Sequence, residues 1–262
     1  MIIDFHVHCF PDALAPKAVQ LLAKRAGTPP RLNGMVGDIK SSMNKAGVDY
    51  SVILPIATKP EQTKTINNWA AQIQGEKIVS FGSIHPDYLN WKDELKKIKE
   101  LGLKGIKFHP DYQDFFVDDR KMYPIYEEAF KRDLVVIFHA GVDIGLPAPY
   151  HCEPEMLKKI LKDLKGGRIV AAHMGGHSYW DDVEKYLVGE DIYFDTAYSI
   201  KVIETDQTLR IIRGHGSDKI LFATDSPWTD QKEEIERMKG FGLTEKEYNS
   251  IMGDNARKLL NM

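Results

Sequence analysis

Short apolar runs rich in Val, Ile and Phe alternate along the chain with longer segments whose apolar residues recur at helical spacing. The runs predict eight strands, at residues 2–8, 50–54, 78–84, 105–109, 134–139, 168–173, 192–195 and 220–225. Their starts recur about every 31 residues, the length of one strand–helix–strand step. Helical patterns include residues 13–25, 122–131 and 156–164, and after the last strand 232–239, 245–252 and 255–260. Asp12 and Asp119 stand where side-chain caps are expected. Glu153-Pro154 opens the helix that Gly166-Gly167 follows. The charged stretch 92–100 reads as a solvated helix face.

Eight parallel strands under helices form either an open sheet or a closed barrel. The polar residues decide between them. His6 and His8 share the first strand, and His109, His139, His173 and Asp225 each end a different one. A closed barrel brings such ends around one mouth, whereas an open sheet spreads them along an edge. The chain of 262 residues, 43% hydrophobic, matches the roughly 250 residues of a (β/α)8 TIM barrel, so residues 1–262 read as one α/β domain. No linker or low-complexity segment divides it.

Side-chain alternation assigns Asp4, His6 and His8 to one face of the first strand, leaving Ile3, Phe5 and Val7 to pack beneath the helices. It pairs Lys107 with His109 in the same way. Several imidazoles and a carboxylate on one partly dry rim are costly without a cation, which points to a divalent metal. Nitrogen and oxygen ligands suit zinc and also accept manganese or iron.

Charge removes other classes. Lys plus Arg total 35 against 38 Asp plus Glu, spread evenly for a net charge of −3, which argues against nucleic-acid and membrane partners. Cys9 and Cys152 are too few for a disulfide framework and read as packing residues. The start of the chain lacks a secretory pattern and no apolar run spans a bilayer, so the expected location is cytoplasmic. No glycine-rich phosphate loop implies a nucleotide cofactor.

The sequence resembles the amidohydrolase superfamily, in the family 2 branch related to aminocarboxymuconate semialdehyde decarboxylase. The resemblance rests on Asp4-Phe-His6-Val-His8, Gly105-Ile-Lys107-Phe-His109-Pro110, Phe138-His139-Ala-Gly141, Ala172-His173-Met-Gly-Gly176, Ala223-Thr-Asp225-Ser-Pro227 and Asn255-Ala-Arg257-Lys-Leu-Leu260. It implies a distorted barrel with extra C-terminal helices, one divalent ion held by His6, His8, His139 and Asp225, and His173 beside it as a catalytic residue. Asp225 is also expected to orient and deprotonate water. Lys107 is expected to bind a substrate carboxylate, ahead of a carboxylated lysine bridging a second ion. A lysine neutralised by Asp4 or another buried acid is the plainer alternative. His109 either lines the pocket or serves the Pro110 turn.

Loops after the strands wall the mouth. The rim carries His85 with Tyr88, His177 with Tyr179 and Trp180, Tyr198, and Trp228; of these, His85, Tyr198 and Trp228 are taken as substrate-binding. Metal-dependent hydrolysis of an amide, lactone or other ester of a small organic acid is the leading expectation, with non-oxidative decarboxylation of an aromatic or unsaturated acid as the alternative. A phosphoesterase ranks below both, because Lys107 stands where related barrel nucleases carry a glutamate. Barrels of this branch often form a homodimer, but no patch in the sequence marks an interface.

Overall fold

The computed structural model, which describes residues 1–262, contains eight strands in chain order: β1 (Ile3–Val7), β2 (Tyr50–Ile53), β3 (Ile78–Ser80), β4 (Gly105–Phe108), β5 (Val135–Phe138), β6 (Ile169–Ala171), β7 (Tyr193–Asp195) and β8 (Ile220–Leu221). Consecutive strands pair in parallel from β1 to β3 and from β4 to β8. Two seams join these stretches. Gly82 N–H donates to Gly105 O at 2.8 Å and Lys107 N–H to Gly82 O at 2.9 Å. On the other side Phe5 N–H donates to Phe222 O at 2.9 Å, Asp225 N–H to His6 O at 2.8 Å and His8 N–H to Ser226 O at 2.7 Å. The strands therefore close into a (β/α)8 barrel.

Apolar packing divides at the barrel wall. Phe5, Val52, Val79, Phe81, Val135, Ile137, Val170 and Leu221 form a small cluster from alternate positions of the strands, which is the barrel interior. The larger cluster, with Ile53, Ile106, Phe108, Val136 and Phe138, lies under the helices. Gly105 has to be glycine, because a Cβ there would come within 2.2 Å of Val135 O and 2.5 Å of the Phe81 ring.

β1 departs from simple alternation. Its register against β2 slips between Asp4 and Val7, so Ile3 and Phe5 point into the barrel while His6 and His8 still reach the mouth. An inserted residue flips the sidedness of all that follows, so Ile3 and Phe5 do not pack beneath the helices as alternation alone predicts. Asp4 faces the other way. It accepts from Thr224 N–H at 2.9 Å, Thr224 Oγ1 at 2.7 Å and Gln231 Nε2 at 2.7 Å, so the buried acids that act on Lys107 are Asp195 and Asp225 instead.

Twelve α-helical segments cover the wall: α1 (Ala15–Ala26), α2 (Val36–Ala46), α3 (Thr63–Ile73), α4 (Trp91–Glu100), α5 (Pro110–Gln113), α6 (Tyr123–Lys131), α7 (Pro154–Asp163), α8 (Trp180–Tyr186), α9 (Thr205–His215), α10 (Gln231–Gly240), α11 (Glu245–Asn249) and α12 (Asn255–Leu259). Neither Asp12 nor Asp119 caps a helix. α1 begins after Leu14 without a side-chain cap, its first turn set instead by Pro16, and Asp119 accepts the Phe116 N–H at 3.2 Å. α4 is not solvated all round, because Glu94 is buried and accepts from Asn67 Nδ2 at 2.9 Å. No helix is long and apolar enough to cross a membrane.

Candidate metal centre

His6 lies one residue before the end of β1, while His8, His109, His139, His173 and Asp225 stand beyond their strands, where ladder bonding gives way to loops. His173, Met174, Tyr198 and Asp225 all adopt left-handed backbone, with φ of 61°, 55°, 51° and 67°. Such strain costs roughly 1–3 kcal/mol per residue and persists only where the surroundings enforce it. At His173 and Met174 Asp195 enforces it, its Oδ1 taking the His173 N–H at 2.9 Å and the Ala197 N–H at 3.1 Å while its carbonyl takes the Met174 N–H at 2.7 Å.

Hydrogen bonds at the outer ring nitrogens fix the imidazole tautomers. The Nδ1 of His6 lies 2.8 Å from Asp195 Oδ2, that of His8 3.0 Å from Leu54 O, and that of His173 2.9 Å from Ala197 O. Those oxygens can only accept, so each Nδ1 carries the proton and each Nε2 of the neutral ring is bare. The bare Nε2 atoms of His6 and His8 face each other at 3.1 Å, with Asp225 Oδ1 3.6 Å and 3.3 Å away. Lone pairs and a carboxylate in that arrangement repel, and a cation among them removes the repulsion. Burial and the nearby Lys107 hold the His6 pKa well below its ordinary value, which keeps the ring neutral for coordination.

His6, His8 and Asp225 offer ligand atoms within 4.8 Å of one another. His139 stands apart from those three. Its Nδ1 lies 3.0 Å from the bare Nε2 of His173 and donates to it, which leaves His139 Nε2 buried and without a partner. That orphaned nitrogen is a ligand atom awaiting an electrophile, so the nitrogen and oxygen donors present fit a divalent ion.

A second group, His109, His139 and Asp143, is equally close-set. Its chemistry differs. His109 Nδ1 accepts the Tyr112 N–H at 3.4 Å, so its Nε2 carries the proton and donates to Asp143 Oδ2 at 3.1 Å. The His109 ring is stacked between Tyr112 and His139, 4.0 Å from each. His109 therefore serves both the Pro110 turn and the wall, with neither nitrogen free.

Lys107 is fully buried, and its Nζ donates to His6 Nε2 at 3.3 Å, a bond that an ion on that nitrogen would replace. Burial lowers its pKa to about 8 against the pull of Asp195 and Asp225. Around the rim, Tyr198 meets Thr28 Oγ1 through its hydroxyl at 3.3 Å and carries Lys201 Nζ over its ring at 3.6 Å. Trp228 N–H donates to Asp225 O at 2.9 Å, which places this half-buried residue in the turn behind a ligand. His85 turns back on its own loop, its Nδ1 accepting from Asp87 N–H at 3.2 Å. Reading the sequence missed Asp195 and Asp143, and left His177 as rim; the one signal was an acid closing the seventh strand.

A closed barrel with converging histidines and an aspartate at its C-terminal mouth defines a metal-dependent TIM-barrel protein. More narrowly, the chain belongs to the amidohydrolase family, whose model matches residues 3–262. A search of curated proteins finds no match. Among solved structures it is similar to an uncharacterized TIM-barrel protein from Bordetella bronchiseptica, with 18% identity and a TM-score of 0.80 over 99% of this chain and 98% of that one. It is also similar to 5-carboxyvanillate decarboxylase from Sphingomonas paucimobilis, with 14% identity and a TM-score of 0.75 over 100% and 99%. A dihydroxybenzoic acid decarboxylase from Polaromonas sp. JS666, with bound manganese and the inhibitor 2-nitroresorcinol, has 14% identity and a TM-score of 0.73 over 99% and 96%.

Proposed function

We propose that the protein is a metal-dependent, non-oxidative decarboxylase of an aromatic or unsaturated carboxylic acid. The facing bare Nε2 atoms of His6 and His8, with Asp225 beside them, carry the metal requirement. Full-length likeness in fold to decarboxylases of aromatic acids supports carbon–carbon cleavage over hydrolysis. This reverses the order that the residues alone gave.

His6, His8, His139 and Asp225 would hold one ion, and the manganese of the Polaromonas relative puts Mn2+ level with Zn2+, with Fe2+ also suited to the donors. When bound, such an ion supplies a Lewis acid that neutralises anionic substrate oxygens. The buried Lys107 ammonium adds a second positive charge for a carboxylate, a role that a carboxylated lysine bridging two ions would abolish. His173, its two nitrogens engaged by Ala197 O and His139, would hold the His139 ring in place as a ligand. Tyr198 and Trp228 would offer flat walls to an unsaturated ring. Overall, the carboxylate and one proton become a C–H bond and carbon dioxide.

Carbon dioxide release from a panel of aromatic and unsaturated acids, run beside hydrolysis of lactones, tests the reading. Release that requires added Mn2+ or Zn2+ is expected. Lactone hydrolysis without carbon dioxide would restore the hydrolase, with Asp225 as the base toward water.

A further inference from the structure

Most imidazoles at the mouth have their outer nitrogen committed. The Nδ1–H groups of His6, His8 and His173 go to Asp195, Leu54 O and Ala197 O, and both nitrogens of His109 are engaged. His177 differs. It is 7% exposed, yet its Nδ1 has no hydrogen-bond partner. A buried polar atom left this way costs free energy unless something outside the protein satisfies it.

The ring is nonetheless firmly placed. It lies edge-on to Trp180 at 5.3 Å and Tyr198 at 6.0 Å, with His173 6.1 Å away. Its backbone is clamped to the loop after β5, donating to Ala140 O at 2.9 Å and accepting from Val142 N–H at 3.0 Å. Three loops thus hold in position a ring whose Nδ1 bonds to nothing in the protein. The charged groups facing it are Asp225, Asp143 and Lys201; burial lowers its pKa, the two acids oppose that, and the lysine adds to it.

We propose that His177 is the acid that delivers the proton to the substrate carbon, an assignment that rests on the decarboxylase reading above. The N–H bond of protonated His177 breaks as a C–H bond forms at the carbon carrying the carboxylate. The bond from that carbon to the carboxylate then breaks, its electron pair returns to the unsaturated system, and carbon dioxide leaves. Neutral His177 regains its proton from water. Its rivals are occupied: Asp225 would be a ligand to the ion, Lys107 the anchor for the substrate carboxylate, and the His173 Nδ1–H is given to Ala197 O.

The test compares wild type, His177→Asn and His177→Ala as metal-loaded proteins on 5-carboxyvanillate and dihydroxybenzoates, with circular dichroism and metal content as controls. In both variants kcat is expected to fall about 100-fold or more with KM changed less than about threefold, and added imidazole to restore about tenfold to His177→Ala. Wild-type kcat in either variant overturns the assignment, as does a loss with normal fold and metal content that imidazole leaves unrestored. If wild type itself releases no carbon dioxide from any acid, the decarboxylase reading falls and this step with it. The wild-type rate tells the two failures apart.

Discussion

Asp195, closing β7, accepts the Nδ1–H of His6 in β1 at 2.8 Å, and both residues are fully buried. One carboxylate oxygen sets the tautomer of a ligand while the other holds the strained turn at His173. Asp195→Asn keeps the volume but can present an amide N–H to His6, moving the ring proton to Nε2 and blocking coordination. Metal affinity should fall about 10–100-fold, as read by competition with a chelator for Mn2+ or Zn2+. Equal affinities in the two proteins would remove Asp195 from the centre's design.

The barrel was legible because its polar residues fall where only a closed mouth unites them. His6 and Asp225 lie far apart in sequence, yet each sits at a strand end, a local feature that the apolar runs reveal. The β1 bulge was not legible. It exists because pairing with β2 slips between Asp4 and Val7, a relation between two strands that neither strand encodes alone. Asp195 and Asp143 were missed, and His177 was read only as rim, for a related reason: each matters through the group it meets, or fails to meet, across the mouth. Asp225 carried a motif. Asp195 resembled any acid closing a strand.

Removing the ion should expose the repulsion between the bare nitrogens of His6 and His8. Protein dialysed against a chelator should melt below the same protein in excess Mn2+ or Zn2+, and a thousandfold excess over Kd corresponds to about 4 kcal/mol. Differential scanning calorimetry with and without ion reads this directly. Identical melting curves would mean that these side chains hold no metal.

Glu234 on α10 gives a prediction away from the mouth. Its side chain is buried, Oε1 receives Arg237 Nε at 3.3 Å, and Oε2 has no partner. Burial raises its pKa despite Arg237 and Lys201. A carboxyl raised in the folded state contributes stability that is full below its unfolded value of about 4.5 and is lost as pH rises through the folded value. Glu234→Gln abolishes that titration. Melting temperatures of the two proteins should draw apart in favour of the variant between about pH 4.5 and neutrality. A constant difference across that range would show that Glu234 does not titrate there.

Gly141 and Gly27 separate backbone strain from steric conflict. Both have left-handed backbone, with φ of 83° and 63°. A Cβ at Gly27 meets nothing within 4 Å, whereas one at Gly141 would come within 2.2 Å of His177 N and 2.4 Å of His177 O. Alanine at Gly27 should therefore cost only the conformational term, about 1–2 kcal/mol. Alanine at Gly141 adds a clash with backbone that cannot rotate away, for a total of about 2–4 kcal/mol. Urea unfolding of the two variants measures the difference. Equal costs would mean that the loops after β5 and β6 part easily, and that the clamp on His177 is loose.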